Sequence, residues 1–318
     1  MTFTLAHLSD VHLGPLPKVK RRDLLSKRIT GYINWYRNRS DTMNDGALDR
    51  LVAHMKSHDP DHIAVTGDLV NLALDAELKT AREWLDQMGA PEDVSVVPGN
   101  HDTYVPGALR KIIREWHPYV VGDEALESDN PFPYLRIRGN VALLGVNTGR
   151  ATMPFMATGS FREQQAEALG QLLARVRAKG LFTIILLHHP PHPDATAAHK
   201  QLLGARRFRR LVAEFGADLI LHGHTHIDSF NWIDGPDGQV PVIGVPAASH
   251  GPSLQEEDLG PESKKPGARY NLFRIAQSEN EWTCHMQEFG YARGEADIKL
   301  IAEHDISALK NQRKDIRH

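Results

Sequence analysis

A chain of 318 residues with 41% hydrophobic and 24% charged residues has the make-up of an ordinary globular protein, long enough for one large domain or two modest ones. Its formal net charge of −3 argues against a protein that coats nucleic acid with its whole surface, while leaving room for local patches. A single cysteine, Cys284, rules out an internal disulfide and a thiolate zinc site. The absence of a signal-like N-terminus and of an apolar run of roughly 18 residues sets the expectation of a soluble, cytoplasmic protein.

Short apolar runs punctuate the first two thirds of the chain: Phe3–Leu8, His62–Thr66, Val94–Val97, Val141–Val146, Thr183–Leu187 and Leu219–Leu221. Their length and their Val, Ile and Leu content predict strands covered on both faces. Helical periodicity falls between them, over Asp45–Ser57, Asp75–Gln87 and Arg162–Lys179, the last stopped by Gly180. Strand and helix alternate to about residue 225, the pattern of an α/β layered domain. Beyond it the texture changes to hairpins. Ser229–Trp232 and Val240–Val245 flank the turn Asp234-Gly235-Pro236-Asp237-Gly238, and Tyr270–Ile275 pairs with Glu281–Glu288. Leu254–Gly267 reads as a loop. Residues 291–318 read as a peripheral segment carrying one helix, Asp305–Lys314, attached to a single domain over residues 1–290.

Five clusters of metal-ligand residue types stand just past predicted strands. In order they are Asp10-Val11-His12, Gly67-Asp68-Leu69-Val70-Asn71, Gly99-Asn100-His101-Asp102, His188-His189-Pro190-Pro191 and Gly223-His224-Thr225-His226. In open α/β sheets ligands bind at this edge, because the loops converge there. The glycines ahead of Asp68, Asn100 and His224 let the chain turn sharply and bring those side chains close. Carboxylate and imidazole without thiolate suit borderline divalent ions, and two metals about 3.5–4 Å apart need a shared carboxylate. On an extended strand end, Asp10-x-His12 and His224-x-His226 would each point two side chains to one face. The same alternation leaves His188 and His189 as rivals, since neighbours on a strand face opposite ways.

These five blocks, in this order, resemble those of the calcineurin-like metallophosphoesterases, and the likeness spans residues 3 to 226. The resemblance implies a four-layer αββα sandwich, two mixed sheets flanked by helices. It also implies two metal ions (Mn, Fe, Zn or Co). Asp10, His12 and His226 would hold the first; Asn100, His188 and His224 the second; Asp68 would bridge them. It casts His101 as a catalytic group facing the phosphate, with Asp102 orienting it, and a metal-bridging hydroxide as nucleophile. Within the family, the Ser-Asp-x-His, Gly-Asn-His-Asp, His-His-Pro-Pro and Gly-His-Thr-His forms look most like bacterial cyclic-nucleotide and glycerophosphodiester phosphodiesterases. The expected substrate is therefore a small organic phosphodiester, not a nucleic-acid polymer. The readings beside it are a hydrolase of a lipid-linked phosphoester or pyrophosphate, and an inert scaffold of the same fold. A scaffold would be expected to have lost ligands, and none is missing here.

The remaining polar residues read more plainly. Asn71 caps or braces the Asp68 loop. His222 and His250 are packing neighbours of the site, and His7 belongs to the core. His54, His58, His117, His199, His285 and His304 read as surface residues. Residues 18–36 stand apart, basic in front (Lys18, Lys20, Arg21, Arg22, Lys27, Arg28) and aromatic behind (Tyr32, Trp35, Tyr36). Such a segment reads as a solvated helix joined to a packed aromatic patch. Its other reading is a lip over the site that meets an anionic substrate or an anionic lipid surface. Substrate choice is assigned to residues 14–40, 147–160 and 246–268. The sequence sets no oligomeric state.

Overall fold

The computed structural model describes residues 2–24, 26–38, 46–124, 129–251, 266–278, 281–293 and 295–315. Most of the 254–267 segment expected to be a loop lies outside them. The first strands are β1 (Thr2–Leu8), β2 (His62–Val65) and β3 (Val94–Val96). They are followed by β4 (Tyr134–Arg138), β5 (Val141–Gly145), the short β6 (Gly159–Ser160) and β7 (Phe182–Leu186). Next come the short β8 (Leu202–Leu203), then β9 (Leu219–His222), β10 (Ser229–Gly235) and β11 (Gly238–Gly244). The last three are β12 (Arg269–Ser278), β13 (Glu281–Tyr291) and β14 (Ile298–Asp305). The helices are α1 (Arg28–Asn38), α2 (Ala47–Lys56), α3 (Asp75–Met88), α4 (Ala108–Glu115), α5 (Glu163–Ala178), α6 (Ala205–Phe215) and α7 (Ile306–Asp315).

Two six-stranded mixed sheets organise the described residues, in the orders β14-β13-β12-β1-β2-β3 and β10-β11-β9-β7-β5-β4. β1, β2 and β3 are parallel, as are β5, β7, β9 and β11, while β4, β10, β12, β13 and β14 pair antiparallel. The period-2 pleat then divides each inner strand of the second sheet between two cores. Leu143, Ile184, Leu186, Leu219 and Leu221 face the first sheet and pack in its core cluster. Leu144, Ile185, Leu187 and Ile220 point the other way, onto Leu169, Leu173 and Val176 of α5 and Phe208 and Val212 of α6. On the far side, Leu51 and Met55 of α2, Leu78, Trp84 and Leu85 of α3 and Ile112 of α4 join the first cluster. The result is the expected layering of helices, sheet, sheet and helices.

The late hairpins divide between the two sheets and do not by themselves build the second one. That sheet already begins at β4. β10 and β11 extend it, whereas β12, β13 and β14 return to the first sheet and place β12 beside β1. Sheet membership is decided by which faces still need cover, which a linear pattern does not record. β4, α4, α6 and β14 are also absent from the sequence reading. β14 has its apolar residues only partly buried at a sheet edge, so it lacks the dense apolar run that marks an inner strand. Among the supposed surface histidines, His54 is half-buried with Nδ1 2.9 Å from the Tyr270 hydroxyl, and His58 lies against the Phe289 ring.

The five clusters of candidate ligands lie past the C-terminal ends of β1, β2, β3, β7 and β9. Asp10, His12, Asp68 and Asn100 therefore come from the first sheet, and His188, His224 and His226 from the second. A parallel bridge between Ser9 and Ala247 ties the two edges together.

Candidate metal centre

The turns that aim these residues are not extended, and here the sequence expectation fails. Asp10, His12, Asp68, His224 and His226 all adopt left-handed backbone, with φ between 43° and 70°. At Asp10-x-His12 the two side chains meet because two kinks fold the chain back, not because of strand alternation. Left-handed backbone costs about 1–2 kcal/mol for a residue with a Cβ. Five such residues in one place mark a site where geometry is held at the expense of local comfort. Glycines supply the remaining room. Gly67 has φ 98°, and a Cβ there would stand 2.6 Å from the Gly99 nitrogen; one on Gly223 would overlap Ser9.

The converging atoms are buried and close. Asp10, His12, Asp68, Asn100, His188, His224 and His226 are each at most 8% exposed. His226 Nε2 lies 3.0 Å from Asp10 Oδ1, and His12 Nε2 lies 3.9 Å from the same oxygen. On the other side of the site, His188 Nε2 is 3.4 Å from Asp68 Oδ2 and 3.2 Å from Asn100 Oδ1. Asp68 belongs to both halves, its Oδ2 also standing 4.0 Å from His12 Nε2. Its other oxygen accepts the His101 backbone N–H at 2.7 Å. Three overlapping groups have ligand atoms all within 4.8 Å of one another: Asp10, His12 and His226; His12, Asp68 and His101; Asp10, Asp68 and His188.

Backbone carbonyls fix which ring nitrogens face inward. A carbonyl only accepts, so a ring nitrogen bonded to one carries the hydrogen, and the opposite nitrogen keeps its lone pair. His188 Nδ1 donates to Thr66 O at 2.7 Å, and His224 Nε2 to Lys200 O at 3.0 Å. His12 Nδ1 lies 3.3 Å from Val70 O. The lone pairs are thus Nε2 of His12 and His188, but Nδ1 of His224. His189 is spent elsewhere, with Nδ1 2.9 Å from Thr148 Oγ1 and Nε2 3.2 Å from Ala157 O. A nitrogen and oxygen donor set with outward N–H groups anchored on carbonyls fits a pair of borderline divalent cations. Asp10 Oδ1, buried and facing the ring nitrogens of His226 and His12, fits the same group.

Electrostatics agree with that geometry. Burial alone would push the Asp10 and Asp68 carboxyls up. The His226 and His188 rings around Asp10, and those of His188 and His101 around Asp68, instead hold both below the usual carboxylate range. The reciprocal effect carries His188, despite burial, up to about 9. Burial pushes His224 down to about 3.

His101 and Asp102 separate in role. His101 Nδ1 donates to Asn71 O at 2.7 Å, so it is the Asn71 carbonyl that sets this ring. Asp102 was expected to do so by resemblance. Its carboxylate is instead wholly buried and accepts backbone N–H groups from Asp68, Leu69, Val70 and Gly99 at 2.7–3.1 Å. It locks the Asp68 loop to the Asn100 loop. Asn71 is a brace, as expected: its side-chain amide donates to Leu13 O. Of the neighbours, His7 is a core residue 2.9 Å from Thr66 Oγ1, His222 packs against Gly223 and Ser229, and His250 lies against the His226 ring.

Two contributors, Glu77 and Tyr104, escaped the sequence reading, and a third, Lys27, was named only as part of the basic stretch. Glu77 accepts N–H groups from Asn71, Leu72 and Leu74, capping α3 and fixing the carbonyl that orients His101. Tyr104 stacks on His101 with ring centroids 5.5 Å apart. Lys27 holds its ammonium 4.4 Å from the Tyr104 ring centroid. The Glu at the third helical position of α3 carried a readable capping signal; the other two meet only through the fold.

Comparison with known proteins bears on the same region. Residues 3–228 match the sequence profile of the family described as calcineurin-like phosphoesterase. Among curated proteins, none matches this sequence. Among solved structures, a dimetal phosphatase from Danio rerio is similar at 17% identity and a TM-score of 0.59. That alignment covers 94% of this chain and 98% of the other. A purple acid phosphatase from yellow lupin (Lupinus luteus) seeds gives 11% identity and 0.55 over 93% of this chain. A 5'-nucleotidase precursor from Thermus thermophilus gives 15% and 0.50 over 96%. This chain spans about half the length of the latter two, covering 53% and 54% of them. At these identities the likeness speaks to fold.

Proposed function

The chain belongs to the calcineurin-like phosphoesterases, and on that premise we propose that it is a dinuclear phosphodiesterase acting on a small organic phosphodiester of the cyclic-nucleotide or glycerophosphodiester kind. The observation that carries the reading is the placement of Asp68 between two buried sets of inward-facing donors, with His101 beside it. Asp10, His12 and His226 would hold one cation, and Asn100, His188 and His224 the other, with Asp68 shared. When bound, such a pair supplies positive charge for the phosphoryl oxygens and lowers the pKa of water.

The rest falls to the chain itself. His101 keeps Nδ1–H on Asn71, and Nε2 is the ring atom that would hold or give a proton at the leaving oxygen. Asp102 and Glu77 keep the three site loops in register. Burial of the ligand atoms excludes bulk water and strengthens every charge interaction at the site.

The test is metal analysis of the purified protein, with hydrolysis of bis(p-nitrophenyl) phosphate across Mn, Zn, Co and Fe and an Asn100→Ala control. Bound metal with turnover that the control loses is the expected result. Absence of both metal and turnover would leave the inert-scaffold reading. A panel of cyclic nucleotides, glycerophosphodiesters and monoesters then sorts substrates. The second reading, a lipid-linked phosphoester or pyrophosphate, is favoured by the basic-aromatic stretch at residues 18–36, whose Lys27 and Arg28 bond to the 152–156 turn and to Leu72 and Ala73. Turnover confined to detergent-dispersed lipid phosphoesters would decide for it.

A further inference from the structure

Nine large hydrophobic side chains are exposed among the described residues, and six fall on two short segments. Ile29, Ile33 and Tyr36 lie on α1; Met153, Phe155 and Met156 lie in the turn that follows β5. On α1 the spacing i, i+4, i+7 lines the three side chains along one face.

This face is not loose. The opposite side of α1 is bolted to all three neighbouring loops. Arg28 donates to Leu72 O and Ala73 O at 2.8 and 2.6 Å. Gly31 packs so closely on Tyr104 and Leu72 that a Cβ would stand 2.5 Å from the Tyr104 hydroxyl. Lys27 Nζ donates to Thr152 Oγ1 and Met156 O at 2.6 and 2.7 Å, joining the start of α1 to the 152–156 turn. Thr152 Oγ1 closes that turn on Met156 O. At its tip Phe155 is held at φ 63° and is 83% exposed. A bulky residue in left-handed backbone, presenting its ring to water, pays twice, in strain and in exposed apolar area.

The charge around this surface identifies its partner. Residues 18–38 hold seven Lys and Arg against one acid, Asp23, in a chain whose net charge is −3. Lys18 and Lys20 are exposed. An outward apolar stripe ending in Tyr36, preceded along the chain by the exposed Lys18 and Lys20, has the chemistry of an interfacial helix. We propose that the outer face of α1 and the 153–156 turn together form a docking surface for an anionic phospholipid bilayer, held beside the metal centre through Lys27, Tyr104 and His101. The docking does not depend on the phosphoesterase reading.

The experiment is co-sedimentation of the full chain with phosphatidylcholine vesicles, with or without phosphatidylglycerol. The variants are Phe155→Ser and the double Ile29→Ser/Ile33→Ser. Their thermal midpoints and bis(p-nitrophenyl) phosphate turnover are measured alongside. We expect binding to the anionic vesicles that weakens with salt. Each variant should lose it about tenfold or more, with the thermal midpoint unchanged. Wild-type protein that ignores both vesicles, or variants that bind as well as wild type, would overturn the proposal. So would a wild-type dimer that the double variant converts to monomer, since the stripe would then be covered by a second copy. Vesicle binding without soluble turnover would count against the enzymatic reading alone.

Discussion

The Nδ1–H of His101 donates to the carbonyl oxygen of Asn71 across 2.7 Å, so the tautomer of this ring is set by backbone. Replacement of His101 by Asn should lower kcat by about 10²–10⁴-fold. Metal content should stay unchanged, because the seven assigned ligands are untouched. Simultaneous loss of metal, measured by elemental analysis, would show that His101 is itself a ligand.

Glu77 holds the N–H groups of Asn71, Leu72 and Leu74 and so acts on His101 at one remove. Glu77→Ala should cost about 1–3 kcal/mol of stability from unsatisfied buried donors. It should reduce kcat with little change in KM, and Glu77→Gln should recover part of both. Equal losses in kcat and KM would point to a general loosening of the fold. Denaturant titration and steady-state kinetics separate the outcomes.

Asp68 lies between the two donor sets. For Asp68→Asn we expect the protein to bind less than two metal ions and to lose most metal-induced stabilisation. That stabilisation should reach about 2.7 kcal/mol in wild type at a hundredfold excess over Kd. Calorimetry with and without Mn reads this directly. Unchanged stoichiometry would refute the bridging assignment.

His62 is buried on β2 with Nε2 2.8 Å from Ser95 Oγ, and burial pushes its pKa from 6.5 down to about 3. The folded state prefers the neutral ring. Its contribution is therefore fully present above pH 6.5 and is lost as pH falls from 6.5 toward 3. The loss is about 1.4 kcal/mol per pH unit within that window. His62→Asn should flatten the acid limb of the stability curve there. An unchanged slope in urea titrations between pH 6 and 4 would show that His62 is not its source.

The ligand types were legible in the chain because chemistry demands them at fixed places. Asp10, His12, Asp68, Asn100, His188, His224 and His226 each follow an apolar run, and a strand in a two-sided sheet must be such a run. The inner strands and the α/β alternation follow from the same hydrophobic periodicity, while the four-layer architecture was what the family resemblance implied. What the chain could not show was anything that depends on contact between distant segments. The left-handed kinks at Asp10, His12, His224 and His226 exist because loops from two sheets press on one another. The choice of His188 for the inward position follows from carbonyls at Thr66 and Ala157 that bind opposite nitrogens of two adjacent rings. The transfer of His101 from Asp102 to Asn71, the return of β12 to β1, and the anchoring of α1 by Lys27, Arg28 and Gly31 share that cause. Local sequence sets which groups are available and which residues seek burial; only the packed fold decides which backbone atoms they meet.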